Sequence, residues 1–199
     1  IKCIPNGSPT YPRRRVSPGG THLDMFFFGV LQEYNDFEGL VSNVLRFNKE
    51  NGARVSLSLK IIGFGAQHEI VKTLSQRHNC IEFLGRKTPD EFYAISCLSP
   101  RPLAVVPTRS LGRSEILSPI KLYEYASIGL PTFSSGLVTE VVGWSFLNRY
   151  SNFEDFQKGI LGMVIDTQYI AAVDNAYRFS RSNTWSVRCL ELRQLIYSD

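Results

Sequence analysis

The sequence predicts an α/β domain built on an open parallel sheet of about six strands, with helices on both faces. From Asp24 onward, short apolar runs alternate with segments in which apolar side chains recur every three or four residues. Glycine and proline separate the two kinds of segment. Because right-handed crossovers place helices over both faces of a parallel sheet, this alternation favours a doubly wound, Rossmann-like arrangement.

The strands are predicted where a short apolar run ends in a turn former. The first run, MFFFGV, is typical of a buried strand, and Gly63 and Gly65 end the second run. Helical periodicity follows each of the first four strands. The strands are predicted at residues 25–30, 55–64, 81–84, 103–106, 131–133 and 146–150.

The helices are predicted from apolar periodicity and from their terminal residues. Thr88 with Glu91 three positions later forms a capping-box pattern, and Ser118 followed by Pro119 has the residues preferred at a helix start. Gly129, two residues before a proline, ends that second helix. The helices are predicted at residues 37–51 and 67–78, from residue 88, from residue 118, and at residues 153–165, 167–181 and 184–197.

Composition bounds the class of protein. The 199 residues are 43% hydrophobic and 20% charged, which is ordinary for a globular domain and excludes a fibrous or disordered chain. Residues 1–22 are rich in turn formers and are predicted to be a linker, residues 23–182 the domain, and residues 183–199 a terminal helix. No apolar run approaches the roughly 18 residues of a spanning helix, and no secretory signal is present, so we expect a soluble, cytoplasmic protein.

The net charge of +4 is mild and carries little weight. It suits a phosphate-bearing ligand or a peripheral contact with an anionic inner membrane face, and it is equally compatible with neither. We expect no nucleic-acid partner. Cys3, Cys80, Cys97 and Cys189 lack zinc-ligand or redox spacing, so we expect reduced, mostly buried thiols and no metal site.

The segment at 118–131, SPIKLYEYASIGLP, carries the chemistry. Its apolar side chains are spread around the whole helix, which predicts a largely buried helix whose only charges are Lys121 and Glu124. Two interpretations stay open: the two residues pair with each other or lie at a partly exposed edge, or both face a cleft and hold a polar ligand. The helix starts just past the fourth strand, where open parallel sheets bind ligands.

The start of this helix suits a phosphate, since its free N–H groups and its dipole favour negative charge. Glu124, about two turns further on, would accept hydrogen bonds from ribose hydroxyls. Lys121 or Arg113 would neutralise a diphosphate.

The segment SPIKLYEYASIGLPTFSS resembles the donor-binding segment of GT-B glycosyltransferases of the group 1, retaining type. In that family a glutamate in a buried helix grips the nucleotide ribose. Further segments are similar in the same order: IPNG at 4–7 to the interdomain linker, FFFGV at 26–30 to the first strand and its glycine turn, IIGFGAQHEIVKTL at 61–74 to the second unit, IEFLGR at 81–86 to the base-contacting turn, and NTWSVRCLELRQLIY at 183–197 to the terminal returning helix.

The resemblance implies the C-terminal half of a GT-B fold and a donor site for a nucleoside-diphosphate sugar, with no other cofactor. It implies transfer with retained configuration, without a divalent metal, in polysaccharide biosynthesis. An N-terminal domain would hold the acceptor, so we expect the 199 residues alone to fold but not to transfer. Glu124 and Lys121 are the candidate catalytic residues. The candidate donor-binding residues are Gly29, Gly63, Gly65, Gly85, Arg86, Arg113, Ser118, Ser135, Gly136 and Glu140.

Three positions depart from the family pattern. Many members have an arginine and a lysine that contact phosphates where this chain has Val30 and Phe37, and a second glutamate where it has Ile116 beside Glu115. Lys121 would replace the absent cations. Two alternatives to a transferase therefore stay open: a non-catalytic, partner-binding subunit and a nucleotide-sugar epimerase.

The remaining signals favour structural roles. Arg13, Arg14 and Arg15 form a dense basic cluster that we interpret as part of a solvated linker, with anionic lipid or the absent domain as the other option. Trp144 and Trp185 are interpreted as packing residues. The three histidines show no metal-ligand or triad spacing.

Overall fold

The computed structural model describes residues 6–16, 19–109, 120–135 and 144–197. Strands and helices alternate through most of this part of the chain, as predicted. In chain order the elements are β1 (His22–Val30), α1 (Phe37–Asn51), β2 (Ser56–Phe64), α2 (His68–Arg77), β3 (Ile81–Phe83), α3 (Pro89–Leu98), β4 (Pro102–Pro107), α4 (Ile120–Ser127), β5 (Thr132–Ser135), β6 (Leu147–Tyr150), α5 (Phe153–Gly162), α6 (Asp166–Ser182) and α7 (Trp185–Tyr197).

The strands form one sheet in the order β3-β2-β1-β4-β5-β6, and every neighbouring pair is parallel. The predicted fold class is confirmed. The direction of winding reverses between β1 and β4, and an open sheet of this kind has a crevice at the carboxyl ends of the strands on either side of that reversal.

Alternate residues of the central strands β1, β2 and β4 face two separate apolar clusters. Met25 and Phe27 of β1 lie in a cluster with buried side chains of α1, α5 and α6. Phe26 and Phe28 lie in a second cluster with buried side chains of α3 and α4. This period of two, with both faces apolar, is why β1 and β4 contain runs of consecutive apolar residues.

The start of α3 follows the local signal in the sequence, whereas the predicted start of α4 at Ser118 and Pro119 lies outside the described residues. The Thr88 hydroxyl accepts a hydrogen bond from Glu91 N and the Glu91 side chain accepts one from Thr88 N, so the predicted capping box of α3 is confirmed. Helix α1 has the predicted bounds. Helix α5 ends at Gly162 and not at residue 165, because residues 163–165 form the turn into α6.

Residues 6–16 pack against the domain. Ser8 N donates to Asn183 O at 2.6 Å, and Trp185 N donates to Ser8 O at 3.3 Å, which joins this segment to the start of α7. The interpretation of the arginine cluster as solvated is wrong for Arg14, which is buried. Its guanidinium donates to Gly129 O and to the hydroxyl of Tyr169, so α6 and the end of α4 hold it.

Two thiols are more exposed than expected. Cys97 and Cys189 are exposed and Cys80 is partly buried, so the expectation of mostly buried thiols is wrong for this part of the chain. Cys97 lies on the solvent side of α3, and α7, which carries Cys189, has no buried residue at all.

Across the described ranges, no helix has both the length and the apolarity needed to cross a bilayer.

Candidate functional site

Helix α4 is fixed to the end of β1 by Tyr125. The hydroxyl of this buried residue accepts a hydrogen bond from Phe28 N at 2.9 Å and donates one to Phe28 O at 3.2 Å. Gly129, at φ +68°, ends the helix in a conformation that favours glycine, and the ring of Tyr177 occupies the space that a side chain there would need. The helix is largely buried, as predicted.

Lys121 lies across the glycine at the end of β1. A Cβ atom on Gly29 would be 2.5 Å from Lys121 Cε, so the absence of a side chain there makes room for the lysine. The Nζ atom is 4.1 Å from the centre of the Phe27 ring. Burial lowers the pKa of Lys121 to about 8, and the neighbouring Glu124 partly offsets this effect. A cation is therefore held at the carboxyl end of the central strand.

Glu124 lines a cavity of about 210 Å³ between α4, α3, the segment at residues 6–16 and the start of α7. Burial raises the pKa of Glu124, and Lys121 partly opposes that shift. Among the described residues, no cation lies within ion-pair distance of this carboxylate, so the direct Lys121–Glu124 pair is absent. A partly buried carboxylate therefore faces a cavity without a direct protein counter-ion from this part of the chain.

Four aromatic residues form part of the remaining wall of this cavity. Tyr11, Phe28, Phe92 and Trp185 line it together with Glu124. Sequence reasoning missed Tyr11, which it placed in the linker, and assigned Trp185 to packing although its exposed fraction is 48%. Both reach the cavity through contacts between distant parts of the chain, and no local pattern marks such contacts.

The glycines at the ends of β1, β2 and β3 lie side by side. Gly29 is opposite Gly63 in the strand register, and Gly63 N donates to Gly85 O at 2.8 Å. A Cβ on Gly63 would be 1.9 Å from Gly29 O, and one on Gly65 would be 2.7 Å from Leu31 O. Close contact between strand ends therefore already accounts for these two glycines, and a ligand contact for them stays a prediction.

Arg86 follows this glycine turn and is exposed. Its guanidinium lies over the ring of Phe64, 4.8 Å from the ring centre. Phe64 has an exposed fraction of 48%. The pair offers a flat, cationic surface at the ends of β2 and β3, and the predicted contact of Gly85 and Arg86 with a base stays a prediction.

Ser135 lines a different cavity from Glu124. Its hydroxyl accepts a hydrogen bond from Thr108 N and donates one to Thr108 O, so it joins the ends of β4 and β5. The cavity there measures about 930 Å³ and is also lined by Arg109 and Arg149. Four further candidate residues lie outside the described residues: Arg113, Ser118, Gly136 and Glu140.

Comparison with known proteins gives similarity in structure only. No family model and no curated protein matches the chain. A crystal structure of the GtfA/B complex matches 97% of this chain at 14% identity with a TM-score of 0.73. The apo form of the lipopolysaccharide outer core galactosyltransferase WaaB matches all of this chain at 15% identity with a TM-score of 0.66. The C-terminal domain of a group 1 family glycosyl transferase, LpcC from Francisella tularensis, matches 83% of this chain at 11% identity with a TM-score of 0.59.

The chain has the fold of a GT-B C-terminal domain. This glycosyltransferase-like domain spans 39% of the GtfA/B chain and 56% of WaaB, but 86% of the isolated LpcC domain. Within the GT-B-like domain, Lys121 and Glu124 both lie on α4, the helix that follows β4 on one side of the reversal in strand order.

Proposed function

We propose that the chain is the nucleotide-sugar-binding domain of a glycosyltransferase. It would hold a nucleoside-diphosphate sugar while the sugar passes to an acceptor on a separate N-terminal domain. The observation that carries this proposal is Glu124, a partly buried carboxylate that lines an aromatic cavity and has no described ion-pair partner. The chain's 39% share of the GtfA/B chain, on the same fold, supports a second domain.

The two charges on α4 suit the two polar parts of such a ligand. Glu124 accepts hydrogen bonds from ribose hydroxyls, and a charged acceptor makes those bonds stronger than neutral ones. Lys121, held against Gly29 at the end of β1, meets the diphosphate. Because the two residues are three positions apart, they lie on neighbouring surface of one helix.

The transfer breaks the bond between the anomeric carbon and the diphosphate oxygen, so negative charge grows on the leaving diphosphate. A cation that is already in place stabilises this charge without reorganisation. Lys121 is mostly protonated at pH 7, because its pKa is about 8, and it supplies that cation. The proposal includes retained configuration and no divalent metal, both from the resemblance to the group 1 type.

Two wider parts of the proposal concern the whole protein. The 199 residues alone bind the donor but do not transfer the sugar, since the acceptor site lies on the other domain. The protein acts in polysaccharide biosynthesis at the cytoplasmic face of a membrane, an assignment supported by the likeness in fold to a lipopolysaccharide galactosyltransferase.

Calorimetry of the 199-residue chain against UDP-, GDP- and ADP-sugars tests the proposal. We expect saturable binding of one class of donor and a loss of about tenfold or more in the Glu124→Gln variant, since charged hydrogen bonds contribute about 1.5–3 kcal/mol. Glu69→Gln, at an exposed position of α2, is the matched control and should bind like the wild type. A folded chain that binds none of the three donors would overturn the proposal.

One observation favours the second candidate, a non-catalytic subunit that binds a protein partner. Val30 leaves an exposed apolar side chain at the end of β1, and Phe37 is fully buried in the core, so neither position offers a phosphate-binding charge. This candidate predicts no donor binding in the same calorimetry. An epimerase would bind the donor and release UDP with no sugar transferred by the full-length protein.

A further inference from the structure

A third cavity, separate from those of Glu124 and Ser135, lies beside the N-terminal segment at residues 6–16. It measures about 330 Å³ and is lined by Arg14, Arg15, Cys97, Leu98, Ser99 and Pro100. None of these residues lines the Glu124 cavity. Among the residues that the structure describes, its lining contains two arginines and no acidic residue.

Arg14 is a buried cation without a described counter-ion. Only Arg14 and Arg101 are buried among the arginines of the described ranges, with exposed fractions of 6% and 1%. Arg101 forms an ion pair with Asp166, whereas the hydrogen-bond acceptors of the Arg14 side chain are Gly129 O and the Tyr169 hydroxyl, both neutral. The Nε–H of Arg14 has no acceptor among the described residues. Burying a charge in this way is costly unless an anion compensates it.

The described groups around Arg14 do not supply that anion. Burial raises the pKa of both Tyr169 and Tyr177, so both hydroxyls stay protonated near neutral pH. Burial raises the pKa of Asp24, but Ser58, Ser99 and Lys60 together lower it below its usual value. Lys60 Nζ lies 3.1 Å from Asp24 and compensates the charge of this carboxylate. The charge of Arg14 therefore has no compensating anion among the described residues, and an anion in the cavity would supply one.

The rest of the lining suits an oxyanion. Arg15 is exposed and forms no ion pair with any described residue, so its five donors are available. Guanidinium groups match the oxygens of a phosphate in pairs.

We propose that this cavity is a second anion site, which binds the phosphate group of a ligand between Arg14 and Arg15. The cavity is large enough for a phosphate with a small organic group attached. Leu98, at the same cavity, is an apolar side chain with an exposed fraction of 85%. A lipid headgroup and a soluble phosphate ester share this chemistry, and this site is independent of the proposed donor site.

The first test is a titration of the 199-residue chain with inorganic phosphate, in which the NMR signal of the Arg14 Nε–H is monitored. We expect a saturable shift that chloride at equal ionic strength does not cause. Arg15→Gln, at an exposed position, should weaken phosphate binding by about tenfold or more, as expected for the loss of one charged hydrogen bond. Arg54→Gln is the control, since Arg54 is exposed, the charge change is the same, and Arg54 does not line this cavity.

Equal phosphate affinity in the Arg15→Gln and Arg54→Gln variants would overturn the proposal, as would a shift that does not saturate. Lys121→Met should leave the Arg14 signal responsive, which separates this site from the donor site. Co-sedimentation with vesicles of phosphatidic acid in phosphatidylcholine, against phosphatidylcholine alone, identifies the source. If the wild-type chain sediments with the phosphatidic acid vesicles and Arg15→Gln abolishes this, the ligand is a lipid headgroup. If the chain does not sediment but phosphate still shifts the Arg14 NMR signal, the ligand is a soluble phosphate.

Discussion

The positions of Glu124 and Lys121 in the fold disfavour the charged form of each side chain. Burial raises the pKa of Glu124 and lowers that of Lys121, so in each residue the charged form is disfavoured relative to water. Interaction between the two offsets only part of this cost. A ligand with hydroxyls and phosphates would relieve the rest, which is the physical link between stability and binding at this site.

The first prediction follows from the raised pKa of Glu124. Because the folded state disfavours the charged carboxylate, Glu124→Gln should raise the free energy of unfolding at pH 7. We expect an increase of about 0.5–2 kcal/mol, the range that single stabilising substitutions commonly give. Urea denaturation measures it, with Glu69→Gln as the control. A variant that is less stable than the wild type yet keeps its nucleotide affinity would show that the carboxylate has a structural role.

The second prediction concerns pH. Lys121 has a folded-state pKa of about 8 against a reference of 10.5, so it loses its charge as the pH rises through about 8. Diphosphate affinity should fall across that range, by up to about tenfold per pH unit. Lys121→Arg should bind with little pH dependence over the same range, because arginine stays protonated. Calorimetry at pH 6.5 to 9.5 measures both proteins.

The same lysine has the opposite effect on stability. Between pH 8 and 10.5 the unfolded chain binds more protons at Lys121 than the folded chain, so its contribution to the free energy of unfolding rises with pH. Affinity and stability should therefore change in opposite directions above pH 8. An affinity that is constant from pH 6.5 to 9.5 would exclude Lys121 as the diphosphate-binding cation.

Among the elements, α4 supplies the hydrogen-bonding group beside the end of β1, where the pairing of β1 with β4 has stopped. β1 pairs with β4 only from Asp24 to Phe26, so Phe28 lies beyond that pairing. The hydroxyl of Tyr125 bonds both Phe28 N and Phe28 O instead. One side chain thus satisfies two backbone groups at the reversal in strand order and fixes the helix that carries Lys121 and Glu124.

The third prediction is that Tyr125→Phe destabilises the domain. The ring is kept, but a buried N–H and a buried C=O lose their partner, which costs about 1–3 kcal/mol. For a domain of this size we expect a fall in Tm of about 2–4 °C per kcal/mol. Tyr197→Phe, at a position with a 74% exposed side chain, should leave the Tm unchanged. Equal Tm values for the two variants would contradict this account.

Local sequence signals predicted most helices and strands, whereas the candidate site around α4 is formed by contacts between residues distant in sequence. The bounds of α1 and the capping box of α3 follow from residues within one turn of each other, and the apolar runs of the central strands follow from burial on both faces. The sequence also identified α4 as a buried helix with two charges. It did not identify Tyr125 as the residue that fixes α4, because Phe28 is 97 positions away.

For the whole molecule, the two ends of the described chain meet at the cavity of Glu124. Ser8 and Thr184 form an isolated parallel bridge, and this brings Tyr11 and Trp185 to the cavity from opposite ends of the sequence. Tyr11 is held by stacking on Tyr93 and by a hydrogen bond to Asp90, 3.1 Å long. The cavity is therefore complete only when the N-terminal segment and α7 are both in place.

The fourth prediction uses the two tryptophans of the chain as probes of this closure. Trp185 lines the cavity, whereas Trp144 packs between Phe146 and Phe179, so a nucleotide bound beside Glu124 should change the fluorescence of Trp185 alone. Trp185→Phe should abolish the change on donor binding, and Trp144→Phe should preserve it, with calorimetry confirming that each variant still binds. If the signal follows Trp144, or if the nucleotide binds without altering Trp185, then the ligand lies elsewhere on the sheet edge and the two chain ends serve only to close the fold.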